Sequence, residues 1–227
     1  MLENVTIQSN LNKNDEYQSM KIVAISDTHG LHWHLNIPGG DVLIHAGDLT
    51  DRGIIQDVED FNTFLGTLPH PHKIVIAGNH DFCIEDYRMD YEDILTNCIY
   101  LQDQEVTIDG VKFYGSPWQP WFYDRAFNLQ RGPEIRAKWE LIPGDTDVLI
   151  THGPPYGIRD LTARGDQPGC QDLLEVIEGI KPRVHIFGHI HEGYGITSYG
   201  TTTFINSSSC DHLYQPVNPP VIYEYKD

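Results

Sequence analysis

Five short polar runs hold the residues of this chain whose types and spacing could do chemistry. Each run follows a short apolar stretch, and together they supply two aspartates, an asparagine and several histidines: Asp27-Thr28-His29, Gly47-Asp48, Gly78-Asn79-His80-Asp81, Thr151-His152-Gly153 and Gly188-His189-Ile190-His191. Carboxylate and amide oxygens mixed with imidazole suit Mn, Fe, Co, Ni or Zn, whereas calcium takes more oxygens and structural zinc usually takes cysteines. The runs therefore predict a metal centre.

The apolar stretches before these runs predict the elements that position them. They read KIVAIS, DVLIHA, KIVIA, DVLI and RVHIF. Short β-branched runs of this kind are typical of buried strands in a sheet that is covered on both faces. Ligands gather beyond the carboxyl ends of strands in α/β sheets, where loops converge. We therefore expect all five runs to meet at one mouth.

The number of candidate ligands indicates two metal ions. Seven ligands are too many for one tetrahedral ion, but they suit two ions that share a carboxylate, which can span ions about 3.5–4 Å apart. We assign one ion to Asp27, His29 and His191, the other to Asn79, His152 and His189, and the bridging position to Asp48. We expect manganese, with Fe, Zn, Co or Ni as alternatives.

Such a centre predicts attack of water on a phosphate ester. Two divalent ions, two aspartates and a bridging hydroxide leave the site cationic, so it can hold a phosphate ester and stabilise the charge that grows in the transition state. The nucleophile is the bridging hydroxide, formed from water whose pKa falls from about 15.7 towards 7. We assign His80 as the general acid for the leaving oxygen and Asp81 as the carboxylate that orients its imidazole. The alternative is that His80 only donates a hydrogen bond to the phosphate.

The remaining sequence predicts alternating strands and helices in one domain. Residues 1–20 lack periodicity and are predicted to be a flexible N-terminal arm, and residues 21–227 are predicted to be a single domain. Apolar spacing and prolines predict helices, and Asp109-Gly110 predicts a hairpin turn. The helices are predicted at Ile54–Leu68, Glu134–Leu141 and Gln171–Ile180, and late strands at Gly195–Ser198, Thr201–Ile205 and Val221–Tyr225.

Two other groups of side chains carry predictions. The irregular stretch Gly115–Gly132 is rich in aromatic residues and either shapes a pocket or packs on the sheet. Seven histidines outside the ligand set serve as a comparison. His45 and His185 are expected in the core and His70 and His72 on the surface, while His32, His34 and His212 are candidates for the border of the site.

Composition excludes several partners. The chain has 15 Lys plus Arg against 33 Asp plus Glu, a net charge of −18, which argues against binding duplex nucleic acid or an anionic membrane through a basic surface. No apolar run approaches the roughly 20 residues of a membrane span, and the N-terminus is polar. The four cysteines show no metal-finger spacing and are expected to be reduced. We expect a cytoplasmic protein whose oligomeric state the sequence leaves open.

The five runs, in this order, resemble the calcineurin-like metallophosphoesterase superfamily, whose pattern is D-x-H, GD, GNH[ED], a later H, and GH-x-H. The longer runs GDVLIHAGD, KIVIAGNH, YGSPWQPWF, DVLITHGPP, VHIFGHIHEGYG and YQPVNPP look like its MPPED branch, over about Lys21–Tyr225. The resemblance implies a four-layer α/β/β/α sandwich of two mixed sheets flanked by helices. It also implies a dinuclear centre and phosphodiesterase activity, with cyclic nucleotides among family substrates. Some MPPED members replace the first histidine of GH-x-H with glycine, but this chain keeps His189.

One segment resembles a different branch. The run GDLTDRG, Gly47–Gly53, is similar to the GDxxDRG element of Ser/Thr phosphoprotein phosphatases, where the arginine binds phosphate. Arg52 either does the same, since its planar fork suits phosphate oxygens, or is an exposed arginine near a helix start. Those phosphatases usually end their motif set in GH without a second histidine, so His191 favours the phosphodiesterase branch.

The leading prediction is therefore metal-dependent hydrolysis of a small phosphodiester, such as a 2′,3′- or 3′,5′-cyclic nucleotide. Its nucleoside would stack on an aromatic side chain of Trp118–Phe127. The alternatives are a phosphomonoesterase acting on phosphoprotein or nucleotides, and a non-catalytic scaffold with the same fold.

Overall fold

Two large β-sheets with helices on their outer faces make up the protein. The computed structural model describes residues 6–7, 19–85 and 93–226. The strands are β1 Thr6–Ile7, β2 Ser19–Ile25, β3 Val42–Ala46, β4 His72–Ile76, β5 Ile99–Tyr100, β6 Gln104–Ile108, β7 Val111–Ser116, β8 Gln119–Pro120, β9 Asn128–Leu129, β10 Val148–Thr151, β11 Val184–Phe187, β12 Gly195–Tyr199, β13 Thr202–Asn206 and β14 Val221–Lys226. The helices are α1 Ile55–Thr67, α2 Phe82–Glu85, α3 Pro133–Trp139 and α4 Gln171–Ile180, with 3-10 turns at His32–His34 and His191–Gly193.

Both large sheets are mixed, as predicted. The seven-stranded sheet has the order β1-β6-β7-β10-β11-β13-β12, and the five-stranded sheet has the order β14-β2-β3-β4-β5. Strands β2 to β5 run parallel, as do β7, β10, β11 and β13. The parallel strands of each sheet therefore end together, which brings the loops after them to one edge of the sheet.

Alternate residues of the strands face two different apolar layers. Ile22, Ile44 and Ile74 pack between the sheets against residues such as Phe113 and Ile150. The next residues along the strands point outwards, because successive side chains of a strand alternate between its faces. On the five-stranded sheet, Val23, Leu43 and Val75 pack under α1. On the other sheet, Tyr114, Leu149 and Phe187 pack under α3 and α4. The result is the predicted α/β/β/α sandwich.

The three predicted helices are confirmed within two residues at each end. Helix α1 buries Val58, Phe61, Phe64 and Leu65, whose spacing places them on one helix face. Helix α3 begins at Pro133. Proline suits the first position of a helix, because a backbone N–H there would have no acceptor within the helix. The hairpin at Asp109-Gly110 is also confirmed, with β6 and β7 antiparallel and Ile108 opposite Val111.

The beginning of the chain differs from the predicted arm. Strand β2 starts at Ser19, and Met20 is buried in the layer between the sheets, so these two residues belong to the fold. Thr6–Ile7 forms the short strand β1, which pairs in parallel with β6. The rest of the predicted arm, residues 1–5 and 8–18, lies outside the described residues.

None of the four cysteines is in a disulfide. Among the residues that the structure describes, no helix has the length and apolarity that a membrane span requires.

Candidate metal centre

The seven predicted metal ligands lie beyond the carboxyl ends of strands from both sheets. Asp27 follows β2 and Asp48 follows β3, each by two residues. Asn79 follows β4 by three residues, His152 directly follows β10, and His189 follows β11 by two. All seven are buried or nearly so. The sandwich places these strand ends side by side, so the loops that carry the seven residues meet at one mouth.

The first predicted half of the centre is formed by Asp27, His29 and His191. The Nε2 atoms of His29 and His191 lie 3.3 Å apart, and His191 Nε2 is 3.5 Å from Asp27 Oδ1. One donor atom from each of these three residues lies within 4.8 Å of the other two, a spacing that can surround one cation.

The second half is centred on the amide oxygen of Asn79. Asn79 Oδ1 lies 2.9 Å from His152 Nε2 and 2.8 Å from His189 Nδ1. The rings of His152 and His189 have their centroids 5.0 Å apart. An oxygen and two ring nitrogens therefore converge at the three residues assigned to the second ion.

Asp48 lies between the two halves. Its Oδ2 is 3.4 Å from His152 Nε2 and 3.9 Å from His29 Nε2, so it approaches one histidine of each half. Its other oxygen accepts a hydrogen bond from the backbone N–H of His80 at 2.8 Å. This position suits a bridging carboxylate.

The backbone of the centre is unusually constrained. Asp27, His29, Asp48 and His189 have φ angles of 50°, 45°, 56° and 68°, in the left-handed region that non-glycine residues rarely adopt. Such conformations cost about 1–3 kcal/mol each and persist where the surrounding structure enforces them, commonly at functional sites. Glycine is also required beside the ligands, since a Cβ on Gly188 would overlap the Asp27 carboxylate.

Burial and mutual charge shift the pKa values of these groups in opposite directions. Burial would lower the pKa of His191, but the hydrogen bond and charge of Asp27 outweigh it and raise the pKa to about 9. Burial would likewise lower the pKa of His152, but the charge and hydrogen bond of Asp48 outweigh it and raise the pKa to about 9. Burial lowers the pKa of His189 to about 3. For Asp48, burial would raise the pKa, but His152 holds it well below the usual range.

The donor set fits divalent cations. His152 Nδ1 donates to the Ala46 carbonyl at 3.0 Å, and His191 Nδ1 donates to the Asp211 carbonyl at 2.8 Å. These bonds direct each Nε2 towards the centre, the arrangement that second-layer hydrogen bonds give to metal-binding histidines. The two carboxylates with depressed pKa values supply the negative charge that a cation needs. Imidazole, carboxylate and amide donors together match the predicted class of metal.

His80 lies at this centre, but Asp81 does not orient its ring. The ring centroids of His80 and His29 are 4.6 Å apart. His80 Nδ1 is 2.6 Å from the Asp51 carbonyl, so a backbone oxygen holds the ring. Asp81 is turned inwards and accepts hydrogen bonds from the N–H groups of Leu49, Thr50 and Gly78 and from the Thr50 hydroxyl. Its carboxylate therefore ties two ligand loops together, which corrects the predicted orienting role.

Arg52 is at the rim. Its side chain is 85% exposed, and its Nε pairs with Asp51 Oδ2 at 3.3 Å. Of the two predictions for this residue, the exposed position is observed. Its binding of phosphate stays a prediction.

The loop after β13 supplies neighbours that the sequence analysis did not single out. Ser208 Oγ donates to Asp27 Oδ2 at 2.8 Å, and the Asp211 carbonyl accepts from His191. Tyr214 places its ring centroid 4.8 Å from that of His29 and 5.2 Å from that of His191. No spacing rule marks a serine or a tyrosine in an irregular loop, and the only signal was that YQPVNPP includes Tyr214 in a resemblance run.

Part of the aromatic stretch Gly115–Gly132 packs on the sheet, as one of its two predictions states. Trp118 and Phe127 pack against each other and on the outer face of the five-stranded sheet. Trp121, Phe122 and Tyr123 are exposed, and Phe122 approaches His189 edge-on at 6.0 Å. This part of the loop borders the centre.

The comparison histidines separate into three groups. His45 and His185 are fully buried in strands, as predicted. His70 was predicted on the surface but is buried, with Nε2 3.0 Å from the Pro38 carbonyl, so that prediction is wrong. His32, a candidate for the border, is buried against Phe61 and Phe64, with its Nε2 3.0 Å from Asp60 Oδ2.

Comparison with known proteins identifies a family and a shared fold. The sequence profile of the calcineurin-like phosphoesterase family matches residues 20–193. Metallophosphoesterase domain-containing protein 1 of Homo sapiens is 48% identical over 90% of this chain and 70% of its own length. A UPF0046 protein of Caenorhabditis elegans is 43% identical over 90% of this chain and 80% of its own length. The crystal structure of TT1561 of Thermus thermophilus, 14% identical, aligns over 92% of this chain and 99% of that one with a TM-score of 0.59, which shows a shared fold.

Proposed function

This chain belongs to the calcineurin-like phosphoesterase family, and we propose that it is a phosphodiesterase that acts on small diesters. Membership of this family indicates a metal-dependent phosphoester hydrolase, and the preference for diesters is our proposal. The observation that supports metal-dependent hydrolysis by this chain is the convergence of all seven predicted ligands in one buried cluster.

Two divalent cations held by these residues, manganese in our proposal, would bind the phosphate oxygens and lower the pKa of a water towards neutrality. Asp27, His29 and His191 would hold one, and Asn79, His152 and His189 the other, with Asp48 between them. Asp81 supports this arrangement by joining the loops that carry Asp48 and Asn79. Ser208 supports it by fixing the Asp27 carboxylate.

His80 is proposed as the general acid. Its Nδ1–H donates to the Asp51 carbonyl, which leaves Nε2 as the ring nitrogen that can interact with a substrate. A proton on Nε2 can pass to the leaving oxygen as the ester bond breaks. The ring stands next to His29 and the residue is only 7% exposed, so the ring is positioned by packing as well as by the hydrogen bond.

The experiment uses bis-p-nitrophenyl phosphate and protein reconstituted with Mn²⁺. Asp48→Asn and Asn79→Ala are each expected to lower kcat/KM by about 100-fold or more, the order seen when one charge-stabilising group is removed from a site. Glu224→Gln, an acidic position exposed on β14, is the control and is expected to retain activity. Unchanged turnover in both site variants would exclude this centre as the catalytic one.

A phosphomonoesterase is the second candidate, favoured by the arginine of the Gly47–Gly53 run. A monoester carries an additional negative charge, which a nearby guanidinium would bind. Turnover of p-nitrophenyl phosphate and of its diester is compared in one preparation, with Arg52→Ala and the exposed Arg164→Ala as its control. A strong monoester preference that Arg52→Ala alone abolishes would replace our proposal with this one.

Substrate and location complete the proposal. Cyclic nucleotides are candidate diesters, because the exposed aromatic side chains beside His189 could contact a base.

We also propose a cytoplasmic location, supported by the four unpaired cysteines. A non-catalytic scaffold would instead purify without metal, and elemental analysis of the purified protein separates it from an enzyme.

A further inference from the structure

Each half of the metal centre has an exposed aromatic ring of its own. Tyr214, 44% exposed, lies against His29 and His191 with ring centroids 4.8 and 5.2 Å away. Phe122, 45% exposed, lies against His189 at 6.0 Å with the two rings perpendicular. The two rings therefore stand beside different halves of the ligand set.

Tyr214 is held by the turn that also orients a metal ligand. Its backbone N–H donates to the Asp211 carbonyl, and the N–H groups of Leu213 and Gln215 donate to Asp211 Oδ1. The same carbonyl accepts the hydrogen bond from His191 Nδ1. Tyr214 has a φ of 58°, a conformation that the turn must enforce. The ring is thus fixed relative to the centre.

Phe122 is held in a comparable way. Its N–H donates to Asn128 Oδ1 at 3.3 Å, and its carbonyl accepts from Asn128 Nδ2 at 3.1 Å. The same loop is tied to the centre by the Ala126 N–H, which donates to the Asn79 carbonyl at 3.1 Å. Both rings are therefore mounted on loops that hydrogen-bond directly to metal ligands.

The two rings border one continuous centre. Tyr214 contacts His29 and His191, and Phe122 contacts His189, whose backbone N–H donates to the Asp27 carboxylate of the first half. A phosphate at the centre would then lie near both rings.

A phosphodiester has two organic arms, whereas a monoester has one and a cyclic nucleotide presents a single base. We propose that Tyr214 and Phe122 are two stacking subsites, one for each arm, so that linear diesters with a planar ring on both arms, such as dinucleoside phosphates, bind more tightly than cyclic nucleotides, whose single base occupies one subsite. This inference rests on the proposed function. It assigns specificity to two residues outside the ligand set.

Equilibrium binding to the Mn²⁺-loaded protein tests this inference without turnover. The probes are dibenzylphosphinate, benzyl(methyl)phosphinate and dimethylphosphinate, which carry two, one and no rings on a non-hydrolysable phosphorus centre. Phe122→Ala and Tyr214→Ala are each expected to weaken dibenzylphosphinate binding about tenfold, the order that aromatic stacking supports, and the double variant about 100-fold. The one-ring probe can turn to use either ring, so each single variant should change its affinity by no more than about twofold while the double variant loses it.

Conservative and distant variants complete the design. Tyr214→Phe and Phe122→Tyr keep a ring and should bind dibenzylphosphinate as the unchanged protein does. Tyr199→Ala, an exposed aromatic on β12, is the matched control and should have no effect. Thermal unfolding of each variant shows that it is folded.

The outcomes separate the two levels of the proposal. Equal affinity for the two-ring and one-ring probes, or a loss of both through a single variant, would overturn the two-subsite inference and leave a one-ring site. Failure of the Mn²⁺-loaded protein to cleave bis-p-nitrophenyl phosphate would instead refute the proposed function, while the binding data still decide whether both rings engage a ligand.

Discussion

His29 Nε2 and His191 Nε2 lie 3.3 Å apart, although the two residues are separated by 162 positions in the chain. Two imidazole nitrogens at this distance repel each other unless a proton or a cation lies between their lone pairs. Asp27 Oδ1, 3.5 Å from His191 Nε2, adds negative charge at the same point. A divalent cation satisfies all three groups, so metal binding should stabilise the folded protein.

Removing metal with a chelator should therefore lower the melting temperature, and Mn²⁺ should restore it. A ligand at 100 times its Kd adds about 2.7 kcal/mol of stability, which corresponds to about 5–10 °C in a chain of this size. Differential scanning calorimetry measures the shift, and elemental analysis should find two ions per chain. Asp48→Asn should lose most of the shift, whereas Glu224→Gln should keep it. No bound ion and no shift would mean that the ligands meet without binding metal.

Ser208 should affect metal affinity through Asp27. Its hydroxyl donates to Asp27 Oδ2 at 2.8 Å and limits the rotation of that carboxylate. Loss of such a supporting bond usually weakens metal binding about 10–100-fold, so Ser208→Ala should raise the Kd for Mn²⁺ at least about tenfold. Ser207→Ala is the matched control, because Ser207 is also buried but donates to the Phe187 carbonyl. Equal Kd values for the two variants in calorimetric titrations would rule out the role of Ser208.

The difference between Asp27 and Ser208 shows what the sequence could predict here. Asp27 lies in a D-x-H run directly after an apolar strand, so its type and its place in the fold are both visible in the sequence. Ser208 reaches the same carboxylate from the far end of the chain, through the short bridge between Ser26 and Ser208. Only the pairing of non-adjacent segments determines that contact.

His80 and His70 show the same limit for side-chain environments. The GNHD run predicts that His80 is at the centre, and it is, but the carbonyl that orients its ring belongs to Asp51, on the loop after β3. Proline on both sides of His70 indicated an exposed turn, yet the ring is buried against Pro38, in a loop far away in the sequence. The strands before the five runs and the three helices followed from local patterns, whereas these contacts depended on loop packing.

The role of His80 can be tested with leaving groups of different basicity. A general acid matters most when the leaving oxygen is strongly basic and matters little for p-nitrophenolate, which departs without a proton. His80→Gln should therefore lower kcat for a diester with an alkyl leaving group by about 100-fold, but lower kcat for bis-p-nitrophenyl phosphate much less. His34→Gln, at an exposed histidine, is the control. A uniform loss with both substrates would indicate that His80 only binds phosphate.

His185 should make stability depend on pH independently of the metal. Its Nε2 is 2.8 Å from Thr151 Oγ1, and the Thr151 hydroxyl is 2.8 Å from the Gly153 carbonyl. The hydroxyl has one proton and donates it to Gly153, so His185 must donate from Nε2. Its Nδ1 is buried without a partner, and burial lowers the pKa of His185 to about 3 from 6.5.

Because this pKa is lowered on folding, between about pH 3 and 6.5 only the unfolded state binds the proton, and folding stability falls as the pH drops through that range. One such group contributes a slope of up to about 1.4 kcal/mol per pH unit. His185→Gln keeps a side-chain N–H for Thr151 but cannot titrate, so the free energy of unfolding of metal-free protein, measured with urea from pH 4 to 6, should change less steeply by about that amount. His34→Gln, at an exposed position, should leave the slope unchanged. Identical slopes for His185→Gln and the unsubstituted protein would show that the buried ring already accepts a proton in the folded state.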